Sequence, residues 1–209
     1  MIKNLLFDLG GVIMDIRREN CVKAFRELGM NNPDEFLGEY VQQGPFEKIE
    51  NGQWDEAQFH QGIRDIIGEN VTDAQIDEAF QKFLIGIPLY RLNALDRLHA
   101  QYHVYLLSNT NPIMWNGKIA EEFAKDGHDV DYYFDGKVCS FEAGCMKPDE
   151  KIFRIVESRF GIKPSETVFF DDSQRNLDAA ASLGFHTILV APGTEYLTLL
   201  ENSGLTTVQ

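Results

Sequence analysis

The sequence predicts an α/β protein: a parallel sheet with helices on both faces, and a small all-helical cap inserted after the first strand. Two observations predict this fold. Short apolar runs typical of buried strands alternate with helix-like segments along most of the chain. Between Asp15 and Leu89 this alternation stops, and only helical patterns are present.

The predicted strands are short apolar runs that end at polar or glycine residues. Because helix-like segments separate most of these runs, we expect a doubly wound, Rossmann-like parallel sheet. Such sheets bind ligands at the carboxyl ends of their strands. The runs lie at Leu5–Phe7, Val104–Leu107, Tyr132–Phe134, Thr167–Phe170 and Thr187–Val190.

The insertion is predicted to be entirely helical. Thr72 and Gln75 form a capping-box pattern, which predicts the start of a helix. We expect a core domain of residues 1–15 and 88–209, and a cap domain of residues 16–87 that covers the carboxyl edge of the sheet. The predicted cap helices are Glu19–Leu28, Pro33–Val41, Trp54–Ile67 and Thr72–Ile85.

Composition excludes several classes of function. The chain has 209 residues and a formal net charge of −14 at pH 7, so it lacks the basic footprint of nucleic-acid binding. No apolar run reaches the length of a membrane span. Its three cysteines are too few for a disulfide framework. We expect a cytoplasmic protein, a monomer or a weak homodimer, that binds neither nucleic acid nor membrane.

The first predicted strand ends at Asp8, and Gly10 and Gly11 follow closely. An apolar run closed by glycine predicts a tight turn, which lets backbone come near a ligand. The Asp8 carboxylate would then stand at the ligand-binding edge of the sheet. Asp is also common in turns for its own hydrogen bonds, so Asp8 gains weight only if other strands bring matching groups.

Two further segments bring phosphate-binding groups to the same edge. Ser108 and Asn109 follow a predicted strand and offer a hydroxyl, an amide and backbone N–H groups. Lys147 precedes Pro148 at the start of a predicted helix, where the helix dipole favours an anion. Taken singly, a turn or N-cap explains the first pair, and a solvated surface side chain explains the lysine.

Asp171 and Asp172 follow the strand at Thr167–Phe170. Adjacent carboxylates repel, and successive strand residues face opposite sides, so we expect one direct ligand of a cation and one supporting carboxylate. Mg²⁺ suits such a site, because it prefers oxygen ligands and shares substrate phosphate oxygens. Helix N-capping explains one of the two acids but not both.

Together these groups comprise a nucleophile, a phosphate cradle, a counter-charge and a metal site, which describes phosphoryl transfer through an aspartyl-phosphate intermediate. The set resembles the haloacid dehalogenase superfamily of hydrolases, whose four motifs appear here in order. The helical insertion after the first motif also resembles the smaller cap type of that family. The motifs are FDLGGV at 7–12, LLSNT at 106–110, MKP at 146–148 and FFDDS at 169–173.

The resemblance implies a role for each motif residue. Asp8 would attack phosphorus, while Ser108 and Lys147 would hold the phosphoryl oxygens. Asn109 would contact the phosphate through its backbone. The implied Mg²⁺ ligands are Asp8, the Gly10 carbonyl and Asp172, with Asp171 in support. The expected function is a Mg²⁺-dependent phosphatase acting on a small phosphorylated metabolite.

Position 10 departs from the family pattern. Phosphatases of this family usually carry a second Asp there, which protonates the leaving group, and a general acid contributes about 10²–10⁴-fold to the rate. Here the residue is Gly10. Either another residue supplies the proton, or the leaving group hardly needs it, or the enzyme is slow. The motif resembles that of sugar-1-phosphate phosphatases, whose anomeric leaving group is more acidic, so sugar 1-phosphates are the expected substrates.

The cap is expected to select the substrate. Its most suggestive segment is the predicted loop Gln42–Glu47, which carries a Gly-Pro break and polar groups that would reach into the site. Glu47 is the predicted substrate contact and the substitute acid, although such a residue is more often simply solvated.

Three alternatives remain open from the sequence. A 2-haloacid dehalogenase of the same superfamily needs no metal, which leaves the pair Asp171 and Asp172 unexplained. A phosphate-binding or scaffold protein would have lost turnover through Gly10, yet would have no physical need to keep a nucleophile, a lysine and metal-binding acids together. A phosphomutase would lack the proton shuttle that usually returns the phosphoryl group.

Overall fold

The strands form one parallel sheet and a small antiparallel pair. The computed structural model describes residues 1–38 and 42–205. Its strands are β1 (Asn4–Phe7), β2 (Asp15–Ile16), β3 (Leu84–Gly86), β4 (His103–Ser108), β5 (Gly136–Cys139), β6 (Thr167–Asp171) and β7 (His186–Leu189). In that part of the chain the parallel sheet has the order β5-β4-β1-β6-β7, and β2 pairs with β3. The predicted doubly wound parallel sheet is confirmed.

Helices connect the strands and build the insertion. A π-helical segment at Trp115–Ile119 joins two of them, and short 3₁₀ turns occur at Pro33–Glu35, Ala124–Asp126 and Pro164–Glu166. The α-helices are α1 (Arg18–Glu27), α2 (Pro45–Glu50), α3 (Glu56–Ile67), α4 (Asp73–Gln81), α5 (Leu89–His99), α6 (Pro112–Met114), α7 (Ala120–Phe123), α8 (Val130–Tyr133), α9 (Ser140–Ala143), α10 (Glu150–Phe160), α11 (Gln174–Ser182) and α12 (Tyr196–Asn202).

Strand β1 lies at the point where the winding of the sheet reverses. The chain passes from β1 to β4 on one side and later returns to β6 on the other. Phe7 is level with Leu106 of β4 and with Phe170 of β6. The next residues of the three strands, including Asp8 and Asp171, therefore lie at the same height at the carboxyl edge of the sheet, where parallel sheets bind ligands.

Side-chain alternation along the strands separates two buried clusters. Leu5 and Phe7 face the cluster that contains α5, α12 and the insertion, whereas Leu6 faces α10 and α11. Both faces of the sheet are thus covered, as a parallel sheet requires. Because helices cover both faces, the carboxyl edge is where polar side chains of the sheet can reach a ligand.

The insertion has an aromatic centre with one ring from each of four helices. Phe46 lies with its ring centroid 5.0 Å from that of Phe25, 5.4 Å from that of Phe59 and 5.1 Å from that of Phe80. All three contacts have the edge-to-face geometry that aromatic rings prefer. This centre is continuous with the buried cluster on the sheet, so the insertion is packed onto the core. The domain limits at residues 15 and 88 stay a prediction.

The prediction of a strand at Tyr132–Phe134 is wrong. The chain forms α8 there, and β5 begins only at Gly136. The Asp129 side chain caps the helix by accepting a hydrogen bond of 3.1 Å from the N–H of Tyr132. A short aromatic run does not distinguish a strand from a buried helical turn, because periodicity needs more residues than this to show.

The prediction of no strand between Asp15 and Leu89 is also wrong. Strands β2 and β3 are too short to give a sequence pattern, yet they pair and bring the two ends of the insertion together. The predicted helix at Thr72–Ile85 accordingly ends at Gln81, before β3. At Pro33–Val41 the structure forms a 3₁₀ turn over Pro33–Glu35, and residues 39–41 lie outside the described part.

Two smaller details differ from expectation. The helix predicted at Asp149–Phe160 is α10, which begins one residue later at Glu150, with Asp149 as its N-cap. The loop predicted at Gln42–Glu47 turns helical at Pro45, after Gly44 adopts a φ of 61°. In the described residues no helix has the length and apolar character to cross a membrane.

Candidate active site

Asp8 stands at the carboxyl end of β1, where the sheet's winding reverses. Its backbone N–H still bonds to the carbonyl of Phe170 (2.8 Å), which fixes it at the edge of the sheet. Its Oδ1 accepts a hydrogen bond from the N–H of Leu9 (2.7 Å). Burial raises the pKa of Asp8 to about 8, although the nearby charge of Lys147 opposes the rise. The carboxyl is held in one orientation and needs added positive charge to ionise fully at neutral pH.

Lys147 is the counter-charge of the site. Its ammonium lies 2.8 Å from Oδ1 of Asp8 and 2.7 Å from Oδ2 of Asp171, and it donates a third hydrogen bond to the Leu107 carbonyl (3.1 Å). Burial alone would favour the neutral amine, but the two carboxylates outweigh it and raise the pKa of Lys147. The lysine is therefore a buried cation with all three of its donors engaged.

Asn109 anchors Lys147 through the backbone. The Asn109 amide donates a hydrogen bond to the Lys147 carbonyl (3.0 Å) and accepts one from the Lys147 N–H (2.9 Å). Its side chain is thus used within the protein, which leaves its backbone for a ligand. Ser108, 2% exposed, precedes it at the end of β4. The residue after Asn109, Thr110, is held by Ser140. The Ser140 hydroxyl accepts a hydrogen bond from the Thr110 N–H and donates one to the Thr110 carbonyl, each at 3.0 Å.

Asp171 and Asp172 play different structural parts. Asp171 is fully buried and accepts hydrogen bonds from Lys147, from the N–H of Ser173 (2.8 Å) and from Asn176 (3.0 Å). Asp172 is partly exposed and lines the cavity beside Asp8. The first carboxylate supports its neighbours, and the second presents its oxygens toward the cavity.

The donor set fits a magnesium ion. Asp8, Asp171 and Asp172 each offer an oxygen, and these oxygens lie within 4.8 Å of one another. Hard carboxylate oxygens are the ligands that Mg²⁺ prefers. Gly11 allows this approach: its φ is 74°, and a Cβ there would overlap the Asp172 carboxylate. A side chain at position 11 would displace one arm of the carboxylate group.

The carboxyl edge and the insertion enclose a cavity of about 110 Å³. The predicted residues Asp8, Gly10, Ser108, Asn109, Lys147 and Asp172 all line it, and Asp171 lies behind them, bonded to Lys147. Glu47 is exposed and is not among the lining residues. Apolar side chains close one side of the cavity: Leu9, Ile16, Phe80, Phe83, Leu84, Met114 and Ile119.

Several lining residues were not predicted from the sequence. Glu50 reaches the cavity from the insertion, and Asn176 reaches it from α11. Gln42, which also lines the cavity, belongs to the loop that was expected to reach into the site. One sequence signal was available for Glu50, which lies four residues after the buried Phe46 and thus on the same helix face. Asn176 lies five residues after Asp171, inside the helix that follows the acidic pair.

Comparison with known proteins supports one family assignment. A family model described as a haloacid dehalogenase-like (HAD) hydrolase matches residues 2–184. A D-ribitol-5-phosphate phosphatase from Bacteroides thetaiotaomicron is 36% identical over 206 residues, which cover 97% of this chain and all of that protein.

Solved structures agree with this assignment. A HAD family enzyme from Bacteroides thetaiotaomicron, crystallised with magnesium and inorganic phosphate, is 40% identical with a TM-score of 0.89, covering 95% of this chain and 99% of that one. An L-2-haloacid dehalogenase from Xanthobacter autotrophicus is 19% identical with a TM-score of 0.62, covering 100% of this chain and 85% of that one, and shares the fold alone. Since the family model spans most of the sequence and all four motifs meet at one cavity, the chain belongs to the haloacid dehalogenase-like hydrolase family.

Proposed function

We propose that the protein is a Mg²⁺-dependent phosphatase that hydrolyses a small phosphorylated metabolite through an aspartyl-phosphate intermediate on Asp8. The observation that carries this proposal is the meeting of Asp8, Lys147 and Asp172 in one cavity. A nucleophile, a fixed cation and a second metal-binding carboxylate are the groups that phosphoryl transfer needs.

The residues at the carboxyl edge have separate roles in the proposed reaction. Asp8 attacks phosphorus with a carboxylate oxygen, and its Oδ1 is already held by Leu9 and Lys147. Ser108, the Asn109 backbone and the Lys147 ammonium bind the phosphoryl oxygens. Ser108 and the Asn109 backbone are fixed before the substrate arrives, whereas the Lys147 ammonium exchanges one of its three protein acceptors for a phosphoryl oxygen.

The metal site completes the charge balance. Asp8, the Gly10 carbonyl and Asp172 would hold Mg²⁺, which when bound keeps Asp8 ionised and neutralises charge on the transferred group. Asp171 holds Lys147 in place from behind. A chain with a net charge of −14 would otherwise repel an anionic substrate, so local positive charge is required.

The substrate class follows from the walls of the cavity. Its lining combines polar groups with apolar side chains. In the described part of the chain, the buried Oε1 of Gln42 and Oγ1 of Thr110 have no hydrogen-bond partner, which favours a ligand rich in hydroxyl groups. The relative that acts on D-ribitol-5-phosphate supports a phosphorylated polyol or sugar as the substrate.

We further propose that residues 16–87 act as a cap that selects the substrate. The cavity is closed by side chains from this segment, among them Gln42, Phe80 and Phe83. The expected monomer or weak homodimer stays a prediction. A free metabolite as substrate suits the expected cytoplasmic location.

The test is a phosphate-release screen over polyol and sugar phosphates, including D-ribitol 5-phosphate and sugar 1-phosphates, with and without Mg²⁺. We expect Mg²⁺-dependent turnover, loss of nearly all activity in Asp8→Asn, and wild-type activity in the exposed control Asp178→Asn. Sugar 1-phosphates are expected to react faster than simple alkyl phosphates if the leaving group departs unassisted.

Two results would overturn the proposal. Comparable turnover by Asp8→Asn and the parent would remove Asp8 from the mechanism. Chloride release from a 2-haloacid without Mg²⁺ would establish the dehalogenase alternative, and phosphate binding without turnover across the whole panel would favour a scaffold.

A further inference from the structure

Position 10, two residues after the nucleophile, carries no acid. Position 10 is Gly10, and a Cβ built there would meet only the Ile16 side chain, at 3.5 Å. In the described part of the chain, the acids that line the cavity are Asp8, Asp172 and Glu50. The first two form the nucleophile and metal site of the proposed function. Glu50 has no role yet in the proposed reaction.

Local packing directs Glu50 toward the cavity. It is the last residue of α2, whose Pro45, Phe46 and Ile49 are buried. Phe46 precedes Glu50 by four residues, so both side chains lie on the inward face of the helix. After the helix, Gly52 adopts a φ of 73°, and a Cβ there would overlap the carbonyl oxygen of Phe141. This close contact with α9 fixes the end of α2 over the core.

The Glu50 carboxyl has the properties of a general acid. It forms no hydrogen bond or ion pair with any residue in the described ranges, although it is only partly exposed. Burial, with a smaller contribution from the charge of Glu47, raises the pKa of Glu50 to about 8. At neutral pH the carboxyl is mainly protonated, which is the form that donates a proton.

Charged and titratable groups surround Glu50 on several elements. Across the cavity stand the groups of the proposed phosphoryl site, and Lys147 is the cation among them. The other groups facing Glu50 or lining the adjoining groove are Glu47, Cys21, Cys145, Asp149, Lys151 and Arg175. None of them is bonded to Glu50 among the described residues, so its carboxyl remains available to a substrate.

We infer that Glu50 is the acid and base that takes the place of the residue absent at position 10, an inference that rests on the proposed phosphatase function. As the Asp8 oxygen bonds to phosphorus, the bond from phosphorus to the ester oxygen breaks. The departing oxygen takes the Glu50 proton and leaves as an alcohol. The Glu50 carboxylate then accepts a proton from the water that attacks phosphorus, which releases phosphate, restores the Asp8 carboxylate and reprotonates Glu50.

The experiment compares Glu50→Gln with the wild-type enzyme on two substrates, with Mg²⁺ present. One is the alkyl phosphate turned over fastest in the screen, D-ribitol 5-phosphate in the first instance. The other is p-nitrophenyl phosphate, whose leaving group needs no proton. We expect kcat for the alkyl phosphate to fall about 10²–10⁴-fold, the usual contribution of a general acid or base.

On p-nitrophenyl phosphate we expect a different signature. Glu50→Gln should release one equivalent of nitrophenolate at close to the wild-type rate and then stall, because water attack on the phosphorylated Asp8 lacks its base. This burst also shows that the variant is folded. The fall in wild-type kcat for the alkyl phosphate as pH rises through about 8 should be absent in Glu50→Gln.

Matched variants decide between explanations. Glu56→Gln removes an exposed carboxylate of the same insertion and should leave both activities unchanged. Equal losses on both substrates with no burst would show a structural role and overturn the inference, as would wild-type behaviour of Glu50→Gln. Losses in Glu47→Gln in place of Glu50→Gln would move the role to the residue expected from the sequence. Failure of the phosphatase proposal itself would appear separately, as retained turnover in Asp8→Asn.

Discussion

The carboxyl edge of the sheet and the cavity face of the insertion differ in how their polar groups are satisfied. At the edge, Lys147 contacts two carboxylates and a carbonyl, and Asp171 accepts three hydrogen bonds. On the face of the insertion, in the described part of the chain, the Gln42 Oε1 and the Glu50 carboxyl have no hydrogen-bond partner.

This difference distinguishes the groups that would act in the reaction from the groups that would recognise the substrate. Groups that must stabilise a transition state gain from being fixed in advance, and the protein supplies their partners from its own backbone and side chains. Groups that recognise a substrate must leave bonding capacity for it. Polar atoms left unpaired in a buried wall destabilise the empty protein, and a hydroxyl-bearing ligand removes that cost.

The largest effect is expected from removing the Lys147 ammonium at the carboxyl edge of the sheet. Lys147→Met leaves Asp8 and Asp171 buried without their counter-charge, and removing one partner of a buried ion pair costs about 3–5 kcal/mol. We expect urea denaturation without divalent cations to show a loss of that size, together with loss of phosphatase activity. Lys151→Met, which replaces an exposed lysine in the first turn of α10, is the control and should change neither quantity. Unchanged stability in Lys147→Met would show that the edge is not held by this cation.

A smaller effect is expected at the turn that lets the backbone approach Asp172. Gly11→Ala places a Cβ against that carboxylate and strains a backbone φ of 74°. Perturbing the surroundings of a metal ligand typically costs 10–100-fold in metal affinity. We expect a weakening of Mg²⁺ binding in this range, measured by titration calorimetry.

Gly10→Ala is the matched control for this prediction. Its Cβ would meet only the Ile16 side chain at 3.5 and 3.7 Å, and the backbone there does not require glycine. We expect Mg²⁺ affinity within a few-fold of wild type. Equal weakening by both alanines would mean that crowding of Asp172 is not the cause.

The same contrast between the sheet edge and the insertion explains which site residues could be predicted from the sequence. Asp8, Ser108 and Asp171 were predictable because each lies at the carboxyl end of a buried strand, and the register of a parallel sheet brings these ends together. Asp8 and Asp171 needed no knowledge of distant packing. The strand at Gly136–Cys139 was misplaced because a local cap at Asp129 turned the preceding aromatic run into a helix.

The face of the insertion could not be predicted in this way. Which residue of α2 reaches the cavity depends on how the helix docks, and the docking contact joins Gly52 to Phe141, 89 positions further along the chain. The sequence analysis predicted Glu47, whereas Glu50 is the acid of α2 that lines the cavity. Partners across long separations, such as Asn109 with the Lys147 backbone, carry no local pattern either.

The smallest expected effect is on stability and reports on Glu50 without any substrate. Its pKa is raised by burial from 4.5 to about 8, so the folded state binds this proton more tightly than the unfolded state does. The contribution of Glu50 to stability is therefore complete below about pH 4.5 and is lost as pH rises toward 8. Glutamine cannot ionise, so the stability of Glu50→Gln does not fall with pH through ionisation at position 50.

We expect the free energy of unfolding of wild type, relative to Glu50→Gln, to fall by about 1 kcal/mol between pH 6 and pH 7, since one pH unit of proton linkage is worth about 1.4 kcal/mol. Titration of Asp8 is common to both proteins and cancels in the difference. Urea denaturation at a series of pH values measures it, with Glu56→Gln as the flat control. A difference that rises with pH would mean that Glu50 is ionised in the folded protein, and the cavity would then hold a base where a proton donor is proposed.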